Sequence, residues 1–301
     1  MRRNMLMSVK VKKAVIPAAG FGTRFLPFTK SVPKELIPLV DKPVIQYVVE
    51  EAVASGIEEI LLVISSDKES IIRHFNPVPE LERRLAEQGK VEMLAQVRHI
   101  SKLARIHYVY QQELNGLGDA VAQARTFVGK EPFAVLLGDT VMDSHISLPV
   151  TGQLMEVFER TASSVVALEE VPLERVSKYG IADGEEIAPG VLKIRKMVEK
   201  PSPETAPSRL AFAARYVFTP EIFDALEQTG RGKNNEIQLT DAMQKLLLRG
   251  NMYGCKASGK RYDIGSQSGF LKGTVEFGLR REEFRREFAD FLRETVAKLE
   301  S

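Results

Sequence analysis

The stretch Lys12–Lys34, KKAVIPAAGFGTRFLPFTKSVPK, opens with a short apolar run, Ala14-Val15-Ile16. Its length and composition read as a buried strand. A loop of small residues follows: Ala18, Ala19, Gly20, Gly22 and Thr23. Glycine and alanine let a backbone approach a ligand closely, and successive N–H groups in such a turn form a nest for an anion. Arg24 comes next, and Lys34 lies further along the same stretch. A strand, a small-residue loop and two cations together suggest a polyphosphate site.

Two other glycine patterns are excluded. A P-loop requires G-x-x-x-x-G-K-[ST], which neither Gly20 nor Gly22 begins. The dinucleotide fingerprint requires a third glycine where Phe25 stands, followed by an uninterrupted helix that Pro27 and Pro33 prevent. Asp41 lies at a suitable distance for a ribose-binding acid, but Asp41-Lys42-Pro43 reads as a turn before a helix.

The alternation continues downstream. Val44 to Ser55 has helical spacing and ends at Gly56, and Glu59 to Ser65 is an apolar run expected to be a central parallel strand. Lys68 to Phe75 reads as a helix. Strand, helix, strand, helix is the rhythm of an open α/β sheet. Glu80 to Leu103 reads as a solvated helical insertion that Gly89 breaks in two. Arg105 to Gln111 alternates like a strand, and Pro132 to Thr140 is a further buried run. The latter ends at Gly138-Asp139, and strand ends of this kind are where open α/β sheets place ligand chemistry. Strands are expected near 164–171, 191–200, 210–218 and 252–257. Asp183-Gly184 has the chemistry of a hairpin turn.

Hydrophobic residues make up 44% and charged residues 27% of the 301, and the net charge is +2. That balance gives no case for nucleic acid or an anionic membrane as partner. The lone Cys255 forms no intrachain disulfide, which fits a reducing cytoplasm. No signal-peptide pattern, membrane-length apolar run or zinc-ligand spacing is present.

AAGFGTRFLPFTKSVPKELIPLVDKPVIQYVVEEA resembles the N-terminal signature of the sugar-1-phosphate nucleotidyltransferases, above all the bacterial UTP–glucose-1-phosphate uridylyltransferases. Later motifs extend the resemblance over most of the chain: Gly138-Asp139, Tyr179-Gly180, Glu199-Lys200-Pro201, Glu236-Ile237-Gln238-Leu239-Thr240-Asp241 and Asp263-Ile264-Gly265. The helical insertion before residue 105 is also closer to these uridylyltransferases than to their thymidylyltransferase relatives. Two departures stand out: Gly138 where the family often has proline, and Ala214 where it has glycine before Arg215-Tyr216.

The resemblance implies a Rossmann-like α/β fold with an open, mixed, mostly parallel sheet flanked by helices and a helical C-terminal tail. The expected organisation is a tail over 1–9, one catalytic domain over 10–266 and a helical arm over 267–301. The nucleotide half of the domain spans about 10–140 and the sugar half about 141–266. The implied reaction joins UTP and glucose 1-phosphate to give UDP-glucose and pyrophosphate. Ala18, Ala19, Gly20, Gly22 and Thr23 would hold the nucleotide, with Gln111 and Gly116 on the uracil. Arg24 and Lys34 would act on its phosphates, while Gly180, Glu199 and Lys200 would hold the sugar phosphate. Asp139 and Asp263 would ligate Mg²⁺. The same resemblance implies a homodimer or homotetramer. Competing readings are a relative using dTTP or another sugar, a nicotinamide dehydrogenase disfavoured by Phe25 and the prolines, and an inactive regulatory paralogue.

Overall fold

Ala14, Val15 and Ile16 are fully buried in the first strand of a nine-stranded sheet. The structure is a computed structural model describing residues 10–300, and the expected tail over 1–9 lies outside the described residues. In chain order the strands are β1 (Lys13–Pro17), β2 (Pro38–Leu39), β3 (Lys42–Pro43), β4 (Glu59–Ile64), β5 (Arg105–Tyr110), β6 (Phe133–Leu136) and β7 (Thr140–Ser144). There follow β8 (Ser164–Glu170), β9 (Gly180–Ala188), β10 (Val191–Glu199), β11 (Leu210–Phe218), β12 (Met252–Cys255) and β13 (Gly259–Asp263). The main sheet runs β5-β4-β1-β6-β11-β8-β12-β10-β9. β13 pairs with β7 beside it, and β2 with β3.

The sheet is mixed, but its two ends differ. β5, β4, β1 and β6 are all parallel neighbours. Beyond β6 only β12 and β8 pair in parallel, and the other pairings are antiparallel. β9 also pairs with β11, so the second end curls back on itself as a small barrel. The sheet is mixed as expected, but it is open and mostly parallel only over β5, β4, β1 and β6. The reason is connectivity: parallel neighbours need a crossover, whereas β9 and β10 are joined by a tight turn. That turn is at Gly190 (φ 72°), not at Asp183-Gly184, which lies within β9. Gly184 is required there for packing, because a Cβ would sit 2.4 Å from the Lys193 carbonyl oxygen.

Period-two alternation sends neighbouring strand residues to opposite faces. Val15, Leu61 and Val135 join one core with the helices Leu117–Ala122, Ile222–Glu227 and Leu239–Leu247. Ala14, Ile16, Leu62 and Leu136 join another with the helices Val44–Ala54 and Val150–Thr161. With both faces covered, β1, β4 and β6 are almost continuously apolar, whereas β5, at the sheet edge, alternates and is partly exposed.

The insertion forms two helices, Pro79–Glu87 and Val91–Ile100, separated at Gly89 (φ 66°). At the C-terminus, the helix Gln267–Arg280 packs Phe270 edge-on to Phe25 and Phe277 edge-on to Tyr47 and Tyr262. The last helix, Arg285–Glu300, rests Phe288 against Gly278 of that helix. Among the described residues, no helix is long and apolar enough to cross a membrane.

Candidate active site

β1 stops at Pro17, and the chain then crosses the carboxyl edge of the parallel strands, where Ala18 N–H donates to the Val63 carbonyl (2.8 Å). Gly22 adopts φ 66°, and a Cβ there would lie 3.1 Å from the Lys34 side chain. Glycine thus lets Lys34 run under the loop and place its Nζ 2.5 Å from Asp139 Oδ2. Burial disfavours the Lys34 ammonium, but Asp139 and Glu35 outweigh it and hold its pKa above the ordinary lysine value. Burial likewise opposes ionisation of Asp139, yet Lys34 holds this carboxyl below its usual range. Both groups are therefore charged at neutral pH.

A cleft of about 510 Å³ opens beside this pair. Ala18, Ala19, Gly20, Gly22, Thr23, Lys34, Gln111, Gly116 and Asp139 line it, which places every proposed nucleotide residue around one space. Gln111 is buried and donates its amide N–H to Asp119 Oδ2 (2.6 Å) and to the Gly116 carbonyl (3.3 Å). Its amide oxygen is left as the acceptor. Gly116 has φ 100°, and a Cβ would collide with Glu236 Cβ at 2.7 Å. The start of the Glu236–Asp241 motif is thus built against this cleft, with Ile237 N–H donating to the Asn115 carbonyl and Gly118 N–H to the Ile237 carbonyl.

A second cleft of about 230 Å³ lies beside the first and shares Leu117, Leu137 and Asp139 with it. Gly180, Glu199, Lys200 and Asp263 line it. A Cβ on Gly180 would lie 2.5 Å from the Phe212 ring and 3.1 Å from Glu199 Oε2, so only glycine fits. Glu199 pairs with Lys200 Nζ (3.1 Å) and accepts a hydrogen bond from Thr240 Oγ1 (2.7 Å). Ala214 lies at φ 61°, in the left-handed conformation that suits the family's glycine, at an irregularity in the β11–β8 register.

Asp139 and Asp263 converge on the space beside Gly265. A Cβ on this glycine would meet Asp139 Oδ2 at 2.6 Å and Asp263 Oδ1 at 3.3 Å. Among the described residues, no group of three or more His, Cys, Asp or Glu is placed to hold a metal, so these two carboxylates stand as a pair. Arg24 is exposed and lines neither cleft, but its Nη1 reaches the Gly265 carbonyl (3.5 Å), at the rim of that pair. Gly138, where the family often has proline, donates its N–H to the Pro17 carbonyl (3.4 Å), a hydrogen bond proline could not make.

Sequence reasoning missed the buried polar groups beneath these surfaces. Arg215 has no exposed surface and is held by Glu51, and it donates to the Thr140 carbonyl (2.8 Å) next to Asp139. Glu35 and Lys68 form a second buried pair beneath the glycine loop. Burial pushes the Glu35 carboxyl up and the Lys68 ammonium down from their ordinary values, each partner's charge opposing the shift. Arg261, stacked on Tyr179 and paired with Glu169, lines the second cleft. The only available signal for these residues was a charge inside or beside an apolar run.

The nucleotidyl transferase family pattern matches residues 13–277. The UTP–glucose-1-phosphate uridylyltransferase of Bacillus subtilis (strain 168) is 49% identical over 291 residues, 97% of this chain and 99% of that protein. A crystal structure of UDP-glucose pyrophosphorylase complexed with UDP-glucose matches with TM-score 0.83 and 42% identity, covering 90% of this chain and all of that one. A UTP-bound UGPase from Acinetobacter baumannii matches with TM-score 0.87 and 36% identity over 94% and 99% of the two chains. The chain therefore belongs to the nucleotidyl transferase family, among its bacterial UTP–glucose-1-phosphate uridylyltransferases.

Proposed function

We propose that the two adjoining clefts convert UTP and α-D-glucose 1-phosphate into UDP-glucose and pyrophosphate, with UTP in the larger cleft and the sugar phosphate in the smaller. A phosphate oxygen of glucose 1-phosphate attacks the α-phosphorus of UTP. A new P–O bond forms there as the bond to the β-phosphate bridging oxygen breaks and pyrophosphate departs. The nucleophile is already an anion, so no covalent enzyme intermediate is needed. Repulsion between two phosphates is the obstacle, and positioning together with fixed positive charge is the remedy.

In this reading the Gln111 amide oxygen accepts the uracil N3–H, and the loop from Ala18 to Thr23 cradles the nucleotide, with Gly116 giving room at the base. Lys34 neutralises nucleotide phosphate, and Arg24 stabilises the departing pyrophosphate at the rim. Gly180 leaves space at the sugar, Glu199 accepts its hydroxyls and Lys200 holds its phosphate. Asp139 and Asp263 would hold Mg²⁺. Two carboxylates that converge beside Gly265 are hard oxygen donors of the kind that suits a hard divalent cation also bound by phosphate. When bound, Mg²⁺ supplies positive charge to the phosphate oxygens. The catalytic unit is residues 10–266 with the arm over 267–301. The exposed Phe291, Val296 and Leu299 on the last helix favour a homodimer or homotetramer.

The observation that carries this reading is that Asp139 lines both clefts and meets Asp263 in the space beside Gly265. Pyrophosphate release from UTP and glucose 1-phosphate tests it, with Mg²⁺ and with EDTA. Release is expected only with both substrates and the metal. Silence from folded protein would overturn the reading.

A further inference from the structure

Lys68 has no place in the chemistry above, yet it is 3% exposed and its partner Glu35 1%. A fully buried lysine is uncommon unless it is paired. Here pairing uses part of its capacity: Nζ donates to Glu35 Oε2 (2.9 Å) and Oε1 (3.1 Å), and also to the carbonyls of Ala18 (2.8 Å) and Gly20 (2.6 Å). The residue between these two is held from the same segment, since Ser65 Oγ donates to the Ala19 carbonyl (3.1 Å). Three successive carbonyls of the loop are thereby tied to the segment after β4. Among the described residues, neither Ala19 N–H nor Gly20 N–H donates to a protein acceptor.

A peptide unit whose carbonyl is fixed has its N–H direction fixed too, because the unit is planar. We infer that Lys68, charge-balanced by Glu35, is a positioning residue that sets the 18–20 backbone in the conformation the nucleotide needs. Lys68 touches no substrate. It acts through the loop, on the nucleotide and not on the sugar phosphate, whose cleft is lined by other segments. Ammonium suits this place because it is a compact charge with three donors, enough for two carbonyls and a carboxylate.

The inference rests on the nucleotide occupying the larger cleft, so wild-type turnover is measured first, and its absence would fail that reading and not this one. Lys68→Met is then compared with wild type in steady-state kinetics and in calorimetric titration with UTP. Losing charge-assisted hydrogen bonds to the loop should raise KM and Kd for UTP by about ten- to a hundredfold, with KM for glucose 1-phosphate changed less than about twofold. If Lys68→Met does not fold, the double variant Lys68→Met/Glu35→Leu removes both buried charges and should show the same split. Glu35→Gln leaves the Lys68 donors in place, and should lose thermal stability while keeping most of its UTP affinity. Unchanged UTP affinity in a folded variant lacking Lys68 would overturn the inference, as would equal losses for both substrates.

Discussion

The two clefts that meet at Asp139 are built in different ways. The larger lies at the end of the parallel strands, and one of its walls is the backbone and small residues of Ala18, Ala19, Gly20, Gly22 and Thr23, met by Gly116. The smaller lies where antiparallel strands curl, and side chains from distant segments wall it: Glu199 and Lys200, Phe212, Thr240, and Arg261 with Asp263. Backbone can be aimed only by fixing the peptide units, and Lys68 and Ser65 do so from below, with Glu35 balancing the charge of Lys68. Side chains are aimed individually, as Thr240 aims Glu199. Damage beneath the first cleft should therefore be felt by the nucleotide, and damage in the second by the sugar.

The most severe way to break this separation is to act where the halves join. Glu51 accepts from Arg215 Nε (3.0 Å) and Nη2 (2.6 Å), as well as from Thr151 Oγ1 (2.7 Å), all buried. Glu51→Ala strands the Arg215 guanidinium in the core and should cost about 3–5 kcal/mol of stability, read by urea unfolding. Because Arg215 also holds the Thr140 carbonyl beside Asp139, the kinetic loss should appear with both substrates. A loss confined to one would show that the halves are coupled elsewhere.

Arg24→Ala probes the rim. Removing one preorganised charge at a site of developing anionic charge should lower kcat about a hundredfold, roughly 2.7 kcal/mol in barrier. Pyrophosphate-release kinetics check this, and near-normal turnover would remove Arg24 from the mechanism. Thr240→Val sharpens the comparison from the sugar side. It keeps the side-chain shape and deletes one hydrogen bond to Glu199, worth about 1 kcal/mol. KM for glucose 1-phosphate should rise about fivefold, while KM for UTP stays near wild type. A larger effect on UTP would place Glu199 in the wrong cleft.

Part of the larger cleft was legible because Ala18 to Thr23 and Lys34 lie in one short stretch and the loop's chemistry belongs to backbone. Gly22 and Gly116 declare positive φ angles by being glycine. The helix-and-strand rhythm to residue 110 matched the observed elements closely, since β1 and β4, with both faces covered, are apolar and the edge strand β5 alternates. The sugar half was less legible. Asp183-Gly184 has the composition of a turn, but cross-strand packing against Lys193 places it inside β9. Ala214 stands in a conformation that its own chemistry resists, held there while the Leu137 N–H donates to its carbonyl (3.2 Å).

The sequence by itself determined the strand–loop–cation stretch at 12–34, the strands of the parallel half, and two aspartates each ending near a strand. These depend on neighbours a few residues away, on periodicity and on backbone sterics. Only the tertiary structure decided that Asp139 and Asp263 share the space beside Gly265, that the second half of the sheet closes on itself, and that Lys68 and Arg215 are buried beneath the two sides of the site. A lysine or arginine inside or beside an apolar run hints at burial but does not name its partner. Its environment is set by partners such as Glu35, 33 positions away, and Glu51, 164 positions away, and these meet only when the chain folds.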